Sequence, residues 1–364
     1  MRRRRWAAIV IVFTVNAVAV SCTSSDPTPE ATGSATGSAS SEPVTLTLLT
    51  HDSFDASEKV LDAFTEETGI EVRVVPAGDA GQLVNRAILS AGNPEGDVLF
   101  GIDDNLLAGA LEAGVFAPYT SPRLDQVDDA YELDPEHRVT PIDHGEVCLN
   151  VDTGWFDDHG LPAPTSLSDL TDPAYRGLTV VENPATSTPG LAFLLATVAE
   201  FGEQGWEAYW TALRDNDVLV VDGWEGAYYG EFSGAGGGEG THPIVVSYAS
   251  SPVAEVVFAD PPVSTAPTAV VASSCFRQIE FAGVLEGTDH PTEASALIDF
   301  LLSRPFQEDI PLKMFVFPVA EDAKLPPAFV RYAVVPDSPL TLSPELIADR
   351  RAAWVDRWTD LVLR

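Results

Sequence analysis

Hydrophobic and polar positions follow two alternating periods from Val44 onward. Short runs of β-branched residues predict strands, and each is followed by a stretch with the spacing of apolar residues that is typical of a helix. Strands are predicted at TLTLLTH, IEVRVVPA and DVLFGID. Helices are predicted at SEKVLDAFTEETG, AGQLVNRAILSAG and NLLAGALEAG. This β-α-β-α-β order predicts a parallel, doubly wound sheet with helices on both faces.

The rest of the chain repeats the pattern. Further strands are predicted at GEVCLNVD, LTVVENP, VLVVDG and IVVSYA. Further helices are predicted at LAFLLATVAEF, GWEAYWTALRD, TEASALIDFLLSR, PFQEDIP and PELIADRRAAWVDRWTDLV. Two α/β units joined by extended segments leave a crevice between them, and ligands of such sheets bind outside the carboxyl ends of the strands.

Length and charge narrow the possible functions. The chain has 364 residues, of which 45% are hydrophobic, so it can form one large or two medium domains with a core. Its formal net charge is -35. Such a surface repels phosphate backbones, so we expect no nucleic-acid partner, whereas a cationic small molecule would be attracted. Acidity that serves only solubility is the alternative explanation.

The first part of the chain, residues 1–43, has the pattern of an export signal and a tether. The basic MRRRRW precedes an apolar run that is too short for a membrane span, so residues 1–21 are predicted to be a signal peptide. The run ends in AVSC, which resembles a bacterial lipoprotein box, and we expect lipidation of Cys22. An ordinary secretory signal is the alternative. Residues 22–43 are rich in Ser, Thr, Gly and Pro and predict a flexible tether. We therefore expect an exported protein, lipid-anchored to the outer face of the cytoplasmic membrane.

Cysteine and histidine contents give two further expectations. The chain has three cysteines, and if Cys22 is lipidated, Cys148 and Cys275 remain as an even pair in an oxidising setting. A disulfide between them is predicted, with two unpaired buried thiols as the alternative. The six histidines show no HxxH or HExxH spacing, so no metal site is proposed.

Polar and aromatic side chains follow the predicted strands, where a ligand of such a sheet would bind. The residues at these ends include His51, Asp52, Asp79, Asp103, Ser187, Thr188, Trp224 and Tyr248. In the stretch ENPATSTPG, Ser187 and Thr188 stand where a helix N-cap belongs and Pro189 suits the first turn. The free N–H groups of a helix start attract an anion, although a plain capping motif has the same sequence.

Several of these blocks resemble one family. THDSF, GIDDNLL, NPATSTPGL, GWEGAYYGEF and SYASSP are similar to segments of the thiamine-binding substrate-binding proteins of bacterial ABC importers, and the likeness extends over most of residues 44–362. It implies an α/β, two-lobed type II periplasmic-binding-protein fold in which each lobe is a mostly parallel sheet flanked by helices and the ligand cleft lies between the lobes. The expected divisions are lobe 1 (first part) at 44–142, lobe 2 at 143–250 and return segments at 251–364.

The resemblance also implies which residues contact the ligand. The family's contacts fall on Asp79, Ala80, Ser187, Thr188, Trp224, Tyr248, Ser250 and Ser251, with Phe315 where the family has a tryptophan. There are three further departures: His51 replaces a tyrosine, the tryptophan that usually follows the first motif is missing, and Ala254 stands where the family has another tyrosine. Asp52 and Asp103 are reserve carboxylates.

The implied function is capture of thiamine or its phosphates and delivery to an ABC permease, without catalysis or a cofactor, by a protein that we expect to be monomeric. Trp224 and Tyr248 would stack on the cationic ring, and Asp79 would supply negative charge. The start of the helix at Ser187 would hold the hydroxyethyl or phosphate arm. Adjacent Tyr228 and Tyr229 resemble those of related ferric-ion binders, which makes a ferric-ion or other small-ligand binder the alternative. A surface-anchored hydrolase is a further alternative, because the fold alone does not determine the function.

Overall fold

The computed structural model describes residues 44–235 and 240–364; the predicted signal peptide, tether and lipidation site at Cys22 lie outside the described residues. Within the described part, nine strands form one sheet in the order β2-β1-β3-β8-β4-β7-β5-β6, with β9 paired to β4. The strands are β1 Thr45–Thr50, β2 Glu71–Pro76, β3 Val98–Asp103, β4 Thr140–Asp152, β5 Thr179–Glu182, β6 Leu219–Val221, β7 Ile244–Tyr248, β8 Thr268–Val284 and β9 Phe317–Pro318.

Helices cover both faces of this sheet. They are α1 Glu58–Thr68, α2 Ala80–Leu89, α3 Asp104–Glu112, α4 Thr153–His159, α5 Thr188–Asp215, α6 Ser251–Val257, α7 Pro291–Leu301, α8 Arg304–Gln307, α9 Ile310–Lys313, α10 Pro327–Tyr332 and α11 Pro344–Val362. A π-helical turn spans Gly226–Glu231, and short 3-10 turns lie at Leu124–Gln126, Asp129–Tyr131, Leu167–Thr171 and Pro173–Tyr175. Among the described helices, none has both the length and the apolarity that a membrane span requires.

The sheet has two parallel outer parts joined by a long antiparallel pair. In the first lobe β1 is parallel to β2 and β3, and in the second lobe β5 is parallel to β6 and β7. Between them, β4 and β8 pair antiparallel along almost their whole lengths. The start of β8 lies beside β4 in the second lobe and its end pairs with β3 in the first. The predicted fold class, two lobes of mostly parallel sheet, is confirmed, and the boundaries at 142 and 250 stay predictions.

The local predictions differ from the structure in a few places. The pattern predicts no strand over Thr268–Val284, and it predicts one helix at PFQEDIP where the chain forms α8 and α9. A proline near the start of α9 suits a new helical start, because its missing N–H has no partner there in any case. The two helices predicted around Gly202 are confirmed: within α5 this residue has φ 69° and ψ 169°, a conformation that glycine tolerates.

Alternating side chains of β1 enter two different layers of core. Leu46 and Leu48 pack in one cluster with Phe64 of α1, and Leu49 packs in the other with Leu83 of α2. The second cluster continues to the C-terminal helix, where Trp358 of α11 is fully buried against α5 and meets the ring of Trp210 edge-on at 5.4 Å. The last helix of the chain is therefore part of the core that carries α5.

Cys148 and Cys275 form the predicted disulfide, which links β4 to β8. The register between these strands jumps there: Val147 lies opposite Phe276 and Leu149 opposite Val271, so a loop of β8 faces one residue of β4. The Ser274 hydroxyl donates to the Val271 carbonyl and accepts from the Leu149 N–H. The disulfide thus fixes an irregular point of the pair that joins the lobes.

Removal of this disulfide is expected to lower stability without changing the fold. The double variant Cys148→Ser/Cys275→Ser should lose about 2 to 4 kcal/mol of unfolding free energy, because the crosslink restricts the unfolded chain. Denaturant titration of both proteins measures this difference. Reducing agent should shift the wild type toward the variant and leave the variant unchanged, and equal midpoints for oxidised wild type and variant would contradict the expectation.

Candidate functional site

A cavity of about 290 Å³ lies between the two lobes and is lined from both. His51 follows β1, Asp79 follows β2, Thr188 begins α5 after β5, Trp224 follows β6 and Tyr248 ends β7. The cavity therefore lies at the carboxyl ends of parallel strands in both lobes, as the sequence predicts. Of the predicted site residues, nine line it: His51, Asp52, Asp79, Ala80, Thr188, Trp224, Tyr248, Ser251 and Phe315.

Aromatic rings form one wall of this cavity. The Trp224 indole is stacked on the Tyr228 ring at 5.1 Å, and its N–H donates to the Ser247 hydroxyl at 2.9 Å. A ligand that stacks on Trp224 must therefore use the face opposite Tyr228. The rings of Trp224 and Tyr248 lie 6.4 Å apart at 64°, so they do not form two parallel plates. A flat ligand can stack on one of them and meets the other at an angle.

Carboxylates dominate the charge of the cavity. The acidic residues in its lining are Asp52, Asp55, Asp79, Asp143, Glu225 and Glu280. Two lining residues can carry positive charge, and both are paired: Lys313 contacts Asp55 at 2.9 Å and His51 contacts Glu280 at 3.5 Å. The described lining thus has a surplus of negative charge, which favours a cation.

His51, Glu280 and Asp143 form a buried titratable group at this site. Burial lowers the pKa of His51, but the charge of Glu280 and a hydrogen bond to it outweigh burial, so the pKa of His51 is raised. Burial, followed by the charge of Glu280, raises the pKa of Asp143 well above its usual value. As the pH falls, His51 and Asp143 gain protons, and the cavity becomes less negative.

Asp79 links the two lobes through its carboxylate. One oxygen accepts from the Thr188 backbone N–H at 3.2 Å and the other from the Trp224 backbone N–H at 3.1 Å. Burial raises the pKa of the Asp79 carboxyl, whereas these N–H groups favour its charged form. A residue of the first lobe therefore contacts the start of α5 and the segment after β6, both in the second lobe.

The backbone at the start of α5 has the predicted arrangement, but the side chains there do not make the predicted contacts. Ser187 is the N-cap residue and Pro189 lies in the first turn, yet the Ser187 side chain makes no capping hydrogen bond. Ser187 is buried and does not line the cavity. The Thr188 hydroxyl accepts from the Gln278 side chain at 3.1 Å. The anion at this helix start is the carboxylate of Asp79.

Ser250 and Ser251, which follow β7, form hydrogen bonds with other residues of the protein. The Ser251 hydroxyl is 2.8 Å from that of Ser247 and accepts from the Tyr248 N–H. Ser250 donates a hydrogen bond to the Phe315 carbonyl and does not line the cavity. Phe315 has φ 56°, an uncommon conformation for a bulky residue, and this places strain in the backbone at the cavity.

Polar residues of the central strands also line the cavity, although the sequence pattern does not single them out. Gln278 and Glu280 stand two positions apart in the largely buried β8, and Asp143 lies in β4; all three line the cavity. Side chains two apart on a strand share a face, so polar residues at this spacing in an apolar run are a usable signal of a site.

The adjacent tyrosines are arranged differently from each other. The Tyr228 hydroxyl is buried and donates to Glu255 at 2.9 Å, whereas Tyr229 is 51% exposed. Their rings meet edge-on at 89°. Within residues 44–235 and 240–364, no group of three or more His, Cys, Asp or Glu side chains is positioned to hold a metal ion.

Asp103, the reserve carboxylate, is fully buried and does not line the cavity. It caps α3 by accepting from the Leu106 N–H at 3.1 Å, and it also accepts from the side chains of Asn105 and Gln278. Because Gln278 also contacts Thr188, Asp103 belongs to a polar network that supports the start of α5.

Comparisons with known proteins agree with this architecture. The family described as bacterial extracellular solute-binding protein matches residues 93–335. The thiamine-binding periplasmic protein of Salmonella typhimurium is 29% identical over 324 residues, which cover 88% of this chain and 94% of that protein. The thiamine-binding periplasmic protein of Brucella suis is 30% identical over 323 residues, 86% of this chain and 91% of that protein.

Solved structures share the fold. A periplasmic thiamin binding protein superposes with a TM-score of 0.75 and 27% identity, covering 88% of this chain and 96% of that one. Iron-bound HitA from Pseudomonas aeruginosa superposes with a TM-score of 0.68 at 20% identity, covering 88% of this chain and 99% of that one. At that identity, the second likeness concerns the fold alone.

Replacement of Asp103 is expected to destabilise the protein rather than merely alter the cavity. Asp103→Ala should lower the unfolding free energy by about 2 kcal/mol or more, because it removes a helix cap and leaves buried donors without acceptors. Thermal or denaturant unfolding measures the loss. Asp128→Ala is the control, since Asp128 is an exposed cap of a short turn and should cost about 0.5 to 1 kcal/mol. Equal losses for both variants would contradict this account.

Proposed function

Because the chain belongs to the bacterial extracellular solute-binding proteins, we propose that it captures thiamine outside the cytoplasm and delivers it to an ABC-type import permease. Thiamine has a flat aminopyrimidine, a permanently cationic thiazolium ring and a hydroxyethyl arm. The observation that carries the proposal is the cavity between the lobes, in which an aromatic wall faces a surplus of carboxylates. A flat cation is the ligand that both features favour.

Each part of the cavity has a role in this proposal. The face of Trp224 opposite Tyr228 stacks on one ring of the ligand, and Tyr248 meets it at an angle. Asp79 and the carboxylates on β4 and β8 balance the thiazolium charge and accept hydrogen bonds from the amine. Phe315 covers the ligand from the segment before β9. Ser250 and Ser251 act indirectly, since they hold Phe315 and Tyr248.

The names of the relatives support the choice of ligand. Two relatives that match most of this chain are described as thiamine-binding periplasmic proteins. In the proposed arrangement, lipid on Cys22 holds a monomeric protein at the outer face of the cytoplasmic membrane, within reach of the permease. The protein binds and releases its ligand without altering it. Ferric iron is not our choice, because Glu255 engages the Tyr228 hydroxyl.

Calorimetric titration of the purified protein tests this function. Thiamine should bind saturably with a Kd of about 1 µM or tighter. Ferric iron, and ester substrates assayed for turnover, are the comparison arms. Thiamine binding that is absent, or iron binding that is tighter, would reject the proposal.

Trp224→Ala is expected to weaken thiamine binding by about 1 to 3 kcal/mol, because it removes the stacking face. Trp155→Ala is the matched control: Trp155 lies on α4, stacks on His159 and does not line the cavity. It should leave the thiamine affinity unchanged. Equal affinities for wild type and Trp224→Ala would assign the indole a structural role.

The affinity for thiamine should fall from mildly alkaline to mildly acidic pH. Because the pKa of His51 is raised above its usual value, His51 gains a proton over this change, and the raised pKa of Asp143 moves protonation of its carboxyl to less acidic pH. Each proton reduces the attraction for a cation. Titrations at several pH values measure the slope. His51→Gln removes one of the titrating groups and should flatten it; an affinity that rises on acidification would contradict the assignment.

A further inference from the structure

Phe258 lines the cavity between the lobes and is nevertheless largely exposed to solvent. Its side chain is 68% exposed, so it stands at the edge where the cavity opens to water. Single exposed hydrophobic residues are common on protein surfaces and by themselves indicate nothing. The position of Phe258 is different, because Trp224 and Tyr248 line the same cavity with two more aromatic rings.

One face of α6 carries this ring toward the cavity. Ser251, Ala254 and Phe258 all line the cavity, and their spacing of three and four residues places them on the same side of the helix. The Phe258 N–H donates to the Ala254 carbonyl at 2.9 Å, so the helical turn extends as far as Phe258. Because Ser251 and Ala254 have small side chains, the Phe258 ring is the bulky group that α6 presents to the cavity.

Contacts on other sides of α6 fix which face the helix turns toward the cavity. Val253 is fully buried and belongs to a cluster with Phe317 and Phe329. The Glu255 carboxylate accepts from the Tyr228 hydroxyl at 2.9 Å. Rotation of α6 about its axis would break both contacts, so the place of Phe258 at the cavity edge is set by the packing of the helix.

Phe258 also meets a ring from another part of the chain. Its centroid lies 5.5 Å from that of Phe315, in the segment between α9 and β9, and the two rings are inclined at 64°. In such an edge-on pair the rings do not cover each other. Phe258 therefore keeps ring surface that a ligand in the cavity can cover, and the pair bounds the cavity edge from two segments of the chain.

From this arrangement we infer that Phe258 is a further aromatic contact of the bound ligand, at the edge of the cavity that opens to solvent. The inference rests on the proposed function, because it assigns one more residue to the same flat cation. Binding removes apolar ring surface from water and brings the ring next to a positive charge, and both effects favour the complex. A side chain so exposed adds little to the stability of the unliganded protein, so its contribution arises when the ligand is bound.

Phe258→Ala tests this contact by calorimetric titration with thiamine. The variant should bind thiamine about three- to thirtyfold more weakly, because it loses the attraction between the ring and the cation. Its thermal unfolding midpoint should stay close to that of the wild type, since the side chain is largely exposed. A wild type and a variant that bind thiamine equally well overturn the inference and leave the proposed function intact. A wild type that does not bind thiamine overturns the proposed function itself.

Two more variants separate a contact of the ring from a general effect on α6. Phe258→Tyr keeps the aromatic ring and should bind thiamine with nearly wild-type affinity. Val257→Ala is the matched control, because Val257 is the neighbouring residue on α6, is 40% exposed and does not line the cavity. It should leave the affinity unchanged. A loss in Phe258→Tyr or in Val257→Ala as large as that in Phe258→Ala overturns the assignment to the ring.

Discussion

One carboxylate, that of Asp79, joins the two lobes at the cavity that lies between them. Its two oxygens accept from the backbone of Thr188 and Trp224, so the start of α5 and the position of the indole both depend on it. These N–H groups also stabilise the charge of the buried Asp79 carboxylate. Burying that charge without hydrogen bonds would be energetically costly. The contact between the lobes, the negative charge of the cavity and the position of the Trp224 indole therefore all involve the Asp79 side chain.

Most of the architecture could be predicted from the sequence, because strands and helices alternate with clear periods. The sequence also indicates that His51, Asp79, Trp224 and Tyr248 stand at strand ends, and in the structure all four line one cavity. The strand Thr268–Val284 escapes prediction because it is buried in both lobes and interrupted by an irregular loop at the disulfide, so it lacks a regular alternation.

The site itself is less predictable, since its contacts join residues far apart in the chain. Periodicity cannot show that the Asp79 carboxylate accepts a hydrogen bond from the start of α5, or that Asp103 caps α3 and contacts Gln278. Nor can it show the angle between Trp224 and Tyr248, which excludes a sandwich of parallel rings. Such properties arise from tertiary packing, whereas residue types indicate only which chemistry is available.

The stability of the chain differs before and after Cys148 and Cys275 are oxidised to the disulfide. Thiols stay reduced in a bacterial cytoplasm, so a newly made chain lacks the covalent tie between its two central strands. Without this tie the folded chain is easier to unfold. Oxidation to the disulfide makes the protein harder to unfold at the strand pair that joins its two lobes.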